Sequence, residues 1–229
     1  AVGVTTGPGG SGAPTDRPPT LVVLGGPPPP EGVPLPAGDR IIGVDSGGDH
    51  ILAAGLVPDV AVGDLDSISA AGLARIERDG IRIDRHPAAK DATDLELALD
   101  VAMEDDPGRV TVVGGHPDAR IDHWLGTILC LTSPRWRSTR IEARLGGALV
   151  VPVHDHVELD VGEGAVVSLF AAHGDAEVAS TEGLAWALCD DVLRAGSSRG
   201  VSNVATGQRV AVAVRRGVVL VVVPEPGGA

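Results

Sequence analysis

The chain has 229 residues, 43% hydrophobic and 21% charged, a balance that fits a globular protein with one generous core or two small ones. Its formal net charge is −13, from 18 Lys and Arg against 31 Asp and Glu. Such acidity excludes nucleic acid and anionic membranes as partners, since both need clustered Lys and Arg, and any polyphosphate ligand must bring cations that invert the local charge.

Residues 1–19 are mostly Gly, Pro, Thr and Ser with almost no apolar periodicity. Such a segment cannot repay its ordering entropy, and a disordered tail is expected there. No charged region followed by an apolar stretch marks a secretory leader, and Cys130 and Cys189 lack metal-ligand spacing. Both features point to the reducing cytoplasm. From Leu21 onward, strand-like apolar runs at 21–24, 41–44, 60–62, 81–83 and 110–113 alternate with helix-like segments at 48–54, 69–78, 93–104 and 122–131. The tetrad Pro27 to Pro30 reads as a stiff connection. Unbroken apolar strands alternating with helices predict a doubly wound, mainly parallel sheet over residues 20–138, covered on both faces. Ligands of such sheets collect beyond the carboxyl ends of the strands.

The pattern changes near Ser133. Short Val-rich runs at 149–153, 157–161, 165–170, 177–180, 210–214 and 218–223 are punctuated by Gly, with no amphipathic helix among them. They predict an antiparallel sandwich or barrel over residues 139–224. The run at 218–223 ends at Pro224 and is far too short to span a bilayer. The fold class expected is therefore an α/β domain followed by an all-β domain.

Chemistry-bearing residues cluster at the predicted strand ends. Asp64 and Asp66 follow the apolar run 60–62 at i and i+2, a spacing that puts both side chains on one side of an extended segment. Two carboxylates so placed repel unless a cation lies between them, and an all-oxygen ligand set favours Mg²⁺ or Mn²⁺. The same residues also suit a plain turn, with Ser67 capping the following helix. Asp45, Ser46, Gly47 and Gly48 follow the second strand, where the glycines permit close backbone approach to a ligand or simply make a βα turn. Lys90, Asp91, Thr93, Asp94 and Glu96 open a helix. Thr93 and Glu96 have capping-box spacing and Asp94 complements the helix dipole, while Lys90 beside these carboxylates points to phosphate contact. Gly114 and Gly115 follow the fifth run, and Arg120, Asp122 and His123 enter the next helix. A glycine pair exposes backbone N–H groups to an anion and Arg offers a fork suited to phosphate oxygens, although Asp122 and His123 also fit ordinary helix-start roles. Trp186, one of three tryptophans, fits a core position by base rate, and Ser202 and Asn203 after Gly200 fit a turn.

Taken in order, Asp45-Ser46-Gly47-Gly48, Gly63-Asp64-Leu65-Asp66-Ser67, Thr93-Asp94, Gly114-Gly115, Arg120-Ile121-Asp122-His123, Gly183 to Leu188 and Gly200-Val201-Ser202-Asn203 resemble the thiamine pyrophosphokinase family over residues 40–223. The resemblance implies an α/β nucleotide domain followed by a β-sandwich, in a homodimer with active sites between subunits. It implies transfer of the pyrophosphoryl group of MgATP to the hydroxyl of thiamine, giving thiamine diphosphate and AMP. Asp45, Asp64, Asp66 and Asp94 match the family's metal and phosphate site. Asp66, Asp94, Arg120 and Asp122 are the catalytic candidates. Gly47, Gly48, Lys90, Asp91, Thr93, Gly114, Gly115, Arg120 and His123 fall on the nucleotide side, and Trp186, Ser202 and Asn203 on the thiamine side. The family's usual Asp-Gly-Gly-Ala-Asn run is here Asp45-Ser46-Gly47-Gly48-Asp49, and the Lys and Pro that usually flank the tryptophan are Ala185 and Ala187. Two alternatives stand beside this reading. One is a phosphohydrolase with Asp64 as nucleophile and Asp105-Asp106 downstream; the other is a regulatory domain that binds thiamine or a nucleotide without turnover.

Overall fold

The computed structural model describes residues 3–5, 17–30, 35–115 and 120–224. In chain order its strands are β1 (Gly3–Thr5), β2 (Pro19–Val23), β3 (Arg40–Val44), β4 (Val60–Gly63), β5 (Arg82–Arg85), β6 (Arg109–Gly114), β7 (Arg140–Leu145), β8 (Ala148–Val153), β9 (His156–Asp160), β10 (Val166–Glu182), β11 (Cys189–Leu193), β12 (Asn203–Val204) and β13 (Arg209–Val223). The helices are α1 (Gly47–Ala53), α2 (Ala70–Arg78), α3 (Asp94–Met103) and α4 (Ile121–Leu131), with a 3₁₀ turn at Pro134–Trp136. Two compact units result: one from Thr15–Cys130 and Thr139–Gly147, the other from Leu131–Ser138 and Ala148 onward with β1.

The first unit is a parallel sheet in the order β5-β4-β3-β2-β6-β7. Register explains its two apolar faces. Leu21 and Val23 share one face with Gly43 and Ala61, where Ile51 of α1 and Ile76 of α2 pack. The alternate residues Val22, Ile42, Val60 and Val62 face the other way, toward α3, whose Leu95, Ala98, Leu99 and Ala102 are buried. Glycine decides how closely α1 approaches: a Cβ on Gly43 would lie 3.0 Å from Gly48 Cα, and one on Gly47 only 2.1 Å from the Val23 carbonyl oxygen. The expected boundary at 138/139 is corrected here, because β7 pairs in parallel with β6 from Arg109↔Arg140 to Gly114↔Leu145. The tract follows the change of pattern near Ser133, yet its backbone completes the earlier sheet.

At the amino ends of these strands, Arg40 is almost enclosed. It donates to the Val101 carbonyl at 2.9 Å and pairs with Glu104 at 3.2 Å and Asp105 at 2.7 Å. Arg82 reaches Glu104 at 2.7 Å, and its guanidinium, against an opposing burial effect and helped by Arg40, holds the Glu104 carboxyl down to about 2. Since the folded pKa lies below the ordinary value near 4.5, this contribution to stability is full above pH 4.5 and is lost as pH falls through about 2. Glu104→Gln is expected to lower the melting temperature at pH 7 and to flatten the acid limb of stability between those values. Equal pH profiles for the two proteins would show that the pair contributes nothing.

The second unit is antiparallel throughout, as expected of a sandwich, but two pairs of the expected runs are joined into long strands. The runs expected at 165–170 and 177–180 are one strand, β10, and those at 210–214 and 218–223 are one strand, β13. Their shared ladder shifts register between Ala172 and Glu177, beside left-handed His173 (φ 57°) and Gly174 (φ 126°), with Gly217 (φ 89°) opposite. Glycine here makes bulges that bend continuous strands rather than turns that end them. The bend folds Leu149, Leu159, Leu169, Val178, Val212 and Val221 into one core. Part of the segment expected to be disordered is a strand: Gly3–Thr5 pairs with Glu158–Asp160 on the free edge of β9, a backbone contact that needs no apolar periodicity. The rest of that segment up to residue 16 lies outside the described residues. Among the described residues no helix is long and apolar enough to cross a membrane.

Candidate active site

Strand order places the site. β2 continues to β3 on one side, whereas the chain later returns to put β6 on the other, so the crossover direction reverses between β2 and β6. Crevices at carboxyl strand ends near such a reversal bind ligands. Asp45 follows β3, Asp64 follows β4, and Asp94 begins α3 on the face shared by these strands.

Asp45 is left-handed (φ 48°), its N–H donating to the Val62 carbonyl at 3.0 Å and its Oδ1 accepting from the Leu65 N–H at 3.2 Å. Gly63 allows this arrangement. At φ +133° it adopts a conformation L residues rarely use, and a Cβ there would meet Asp45 Oδ1 at 1.9 Å and Asp94 Oδ1 at 3.2 Å. Lys90 Nζ stands 2.7 Å from Asp94 Oδ1, a buried oxygen that otherwise lacks a hydrogen-bond partner. Burial first, then the Asp94 and Asp64 charges, push the Asp45 carboxyl up to about 6, against the opposing Leu65 N–H and the Lys90 ammonium. Burial pulls the Lys90 pKa down, but Asp94, Asp64 and Asp45 outweigh it and the net shift is upward. Three carboxylates and one ammonium therefore share a partly enclosed space, with negative charge in excess.

Asp66 does not join them. The i, i+2 rule holds only while the chain is extended, and β4 ends at Gly63. Leu65 turns left-handed (φ 62°) and buries its side chain, while the exposed Asp66 donates its N–H to Asp64 Oδ1 at 3.0 Å in an Asx-type turn. Among the described residues no three His, Cys, Asp or Glu side chains already converge as a metal-ligand group. The donor set nonetheless suits a hard divalent cation: hard oxygen donors, charge repulsion that raises Asp45, and a glycine whose missing Cβ keeps Asp45 and Asp94 accessible to each other.

The neighbouring residues divide between support and exposure. Ser46 Oγ accepts from the Gly26 N–H at 3.0 Å, and Asp49 takes both the N–H and the Oγ of Ser69 at 2.7 Å. Both departures from the usual first-loop residues are thus in structural use. Ser69, rather than Ser67, caps α2 by accepting from the Gly72 N–H at 2.9 Å. The close approach that Gly47 permits is that of α1 to the sheet, and Gly48 packs under Ile68 and Ile76. Thr93 caps α3 by accepting from the Glu96 N–H at 3.3 Å, and Asp91 is exposed. Gly115 lies under the Pro27-Pro28 segment, where a Cβ would meet the Pro27 oxygen at 2.3 Å, and Gly114 ends β6 against Leu24 and Leu145. Arg120, Asp122 and His123 stand exposed at the start of α4, and the Arg120 guanidinium pairs with Asp122 at 2.7 Å and holds its carboxyl far below the ordinary range. Asp105 and Asp106 pair with Arg40 and Arg17 at the far end of α3, so the phosphohydrolase reading lacks its acidic pair at the site. Arg85, which donates to the Asp64 carbonyl at 3.3 Å, has no sequence signal beyond its place at a strand end.

In the second unit Trp186 is 65% exposed, which removes the core reading of this residue. Ser202 is exposed and left-handed (φ 58°), its N–H donating to Ser168 Oγ at 3.0 Å. Asn203 is buried, and its carboxamide meets backbone: Oδ1 accepts from Trp186 and Val204 N–H, and Nδ2 donates to the Trp186 carbonyl.

Asp45 supplies a pH signature. Its folded pKa is above the ordinary carboxylate value of 3.8, so the native state holds the extra proton and stability falls as pH rises from there through about 6. Without added metal, Asp45→Asn is expected to be more stable than the parent at pH 7, by on the order of 1–2 kcal/mol after solvent screening, and level with it at pH 4. Denaturant melts at both pH values check this; a less stable variant at pH 7 would mean the charge is already neutralised.

Two family models match. The thiamin pyrophosphokinase catalytic domain covers residues 36–144 and the thiamin pyrophosphokinase vitamin B1 binding domain covers 155–219. A thiamine pyrophosphokinase of Bacillus subtilis (strain 168) is 43% identical over 90 residues, 39% of this chain and 42% of that protein, so the alignment spans less than half of the relative. In structure the chain is similar to the thiamine pyrophosphokinase from Bacillus subtilis, with a TM-score of 0.78 and 25% identity over 90% of this chain and 99% of that one. The enzyme from Geobacillus thermodenitrificans (TM-score 0.75, 22% identity, 92% and 99% covered) and that from yeast (0.68, 14%, 91% and 86%) share the fold.

Proposed function

The chain belongs to the thiamin pyrophosphokinase family, and on that premise we propose that it transfers the pyrophosphoryl group of ATP to the hydroxyl of thiamine. The thiamine oxygen forms a bond to the β-phosphorus, the bond from that phosphorus to the oxygen bridging it to the α-phosphate breaks, and AMP leaves with that oxygen. The hydroxyl proton passes to a base. The observation that carries this reading is the Lys90–Asp94 ion pair at 2.7 Å beside Asp45, whose carboxyl feels the Asp94 and Asp64 charges, at the carboxyl ends of a parallel sheet.

Asp45, Asp64 and Asp94 would hold Mg²⁺, with Asp66 joining from its exposed turn. When bound, the metal would neutralise phosphate charge. Lys90 holds its ammonium where a transferring phosphate would lie, and the net negative charge around it is what makes ATP binding depend on cations. Asp94 and Asp122 are both candidate acceptors of that proton, and each is paired with a cation, Lys90 and Arg120 respectively. Arg120 must leave Asp122, or carry it along, to meet phosphate. The Trp186 indole offers a stacking face for the pyrimidine of thiamine, and the acidic surroundings favour its thiazolium cation.

Family resemblance further assigns a homodimer in which the Trp186 side of one subunit faces the carboxylates of the other. The stripe of Ile121, Leu125 and Leu129 on α4, each more than half exposed, supports an assembled state. Cys130 and Cys189, neither of them in a disulfide, suit the cytoplasm. The test is AMP release from ATP with and without thiamine. Release that requires thiamine supports the transferase; release without it supports a phosphohydrolase, and thiamine binding without release a regulatory domain.

A further inference from the structure

The loop that carries Trp186 is fastened at nearly every backbone position while its indole faces water. Leu184 and Leu188 are buried on either side, and Ala185 and Ala187 are exposed beside the ring. Gly183 (φ 72°) starts the loop so close to the Arg209 carbonyl that a Cβ would lie 2.0 Å from it. The Gly183 carbonyl accepts from Thr206, and the Ala185 N–H donates to Val204, each at 2.9 Å. Two buried side chains complete the attachment. Asn203 holds the Trp186 peptide from both ends, accepting its N–H at 3.1 Å and donating to its carbonyl at 2.8 Å. Thr181 does the same at Leu188, its Oγ1 accepting the Leu188 N–H at 2.8 Å while its own N–H donates to the Leu188 carbonyl at 2.9 Å.

An indole on a slack loop would pay its ordering entropy when a ligand arrives, whereas one on a fastened loop has paid it during folding. The side chains that do the fastening are spent: both acceptor sites of Asn203 Oδ1 are filled and it is 4% exposed, while Thr181 is 6% exposed. We infer that Thr181 and Asn203 are positioning residues for the Trp186 face, holding the loop so that the indole is presented before thiamine binds, and that neither touches the ligand. This rests on the assignment of Trp186 to thiamine and moves Asn203 from contact to support.

The experiment uses the full chain and four variants. Thr181→Val keeps the shape and removes the acceptor, Thr181→Ser keeps the acceptor, Asn203→Asp keeps the acceptors and removes the donor to the Trp186 carbonyl, and Trp186→Ala removes the face. Thiamine KM, ATP KM and amide exchange at Trp186 and Leu188 are measured for each. Thr181→Val is expected to speed exchange at Leu188 and raise thiamine KM about tenfold while ATP KM holds, with Thr181→Ser near the parent. Asn203→Asp is expected to do the same through Trp186, and it carries the test should Thr181→Val fail to fold. Faster exchange with unchanged thiamine KM, or both KM values rising with a falling melting temperature, overturns the inference. If Trp186→Ala raises thiamine KM and the supporting variants do not, only the positioning role falls; if Trp186→Ala leaves it unchanged, the assignment of Trp186 falls and this inference with it.

Discussion

Asp94→Asn is expected to lower turnover by about 10²–10³-fold while the protein remains folded, the scale on which loss of one charge-stabilising contact acts in enzymes. Asp94 Oδ1 is the buried oxygen beside Lys90, and the Asp94 charge is the largest electrostatic influence raising Asp45. The amide removes both effects at once. Lys90 loses its partner, Asp45 ionises more easily, and the remaining carboxylates hold a divalent cation less tightly. Turnover measured across a Mg²⁺ titration, with a melting curve for each protein, separates these consequences. A lost rate that excess Mg²⁺ restores assigns Asp94 to metal affinity, whereas a loss that persists at saturation assigns it to the chemical step. Asp66→Asn is expected to show its deficit mainly at limiting Mg²⁺, because Asp66 stands on an exposed turn outside the charge cluster. Parent-like turnover in both variants at limiting Mg²⁺ would sink the metal assignment.

Trp186→Ala is expected to raise thiamine KM strongly and to leave the melting temperature close to that of the parent. A buried tryptophan would cost roughly 3–5 kcal/mol on truncation, but an indole 65% exposed has little packing to lose. The proposed dimeric arrangement adds a sharper outcome. If the Trp186 side of one subunit completes the carboxylate site of the other, Trp186→Ala and Asp94→Asn homodimers are each weak. Mixing them regenerates one intact site in every heterodimer, on the order of a quarter of all sites if subunits pair at random. Absence of complementation on mixing would place both halves of the site within one chain. A large fall in melting temperature with unchanged thiamine KM would remove Trp186 from the binding face altogether.

Much of the architecture was legible in the residues taken in order. Short unbroken apolar runs located β2 to β6 and helix-like segments located α1 to α4 within a few positions, and Thr93 followed by Glu96 marked the start of α3 that the structure caps in that way. The ordered set of acidic and Gly-rich motifs carried the family, because each motif sits at the end of a periodic run where chain geometry is local. Where glycine had two meanings, local pattern chose the commoner one. Gly217 and Gly174 looked like strand ends and proved to be bends, and the glycines after Asp45 serve the packing of α1.

The sequence by itself thus determined the elements from β2 to α4, the two-part fold and which carboxylates stand at strand ends, since these depend on periodicity and on residues a few positions apart. Only the tertiary structure decided which of those carboxylates meet. Asp64 and Asp66 are neighbours in the chain, but the left-handed turn at Leu65 leaves the Asp66 side chain exposed, while Asp45, Asp64 and Asp94 come from three distant segments close enough for their charges to couple. It likewise decided that β7 completes the first sheet, that Trp186 faces water and that Asn203 lies behind it. The physical reason is common to all of these: burial, charge coupling and hydrogen-bond satisfaction are set by what folds against a residue, and those neighbours are far away along the chain.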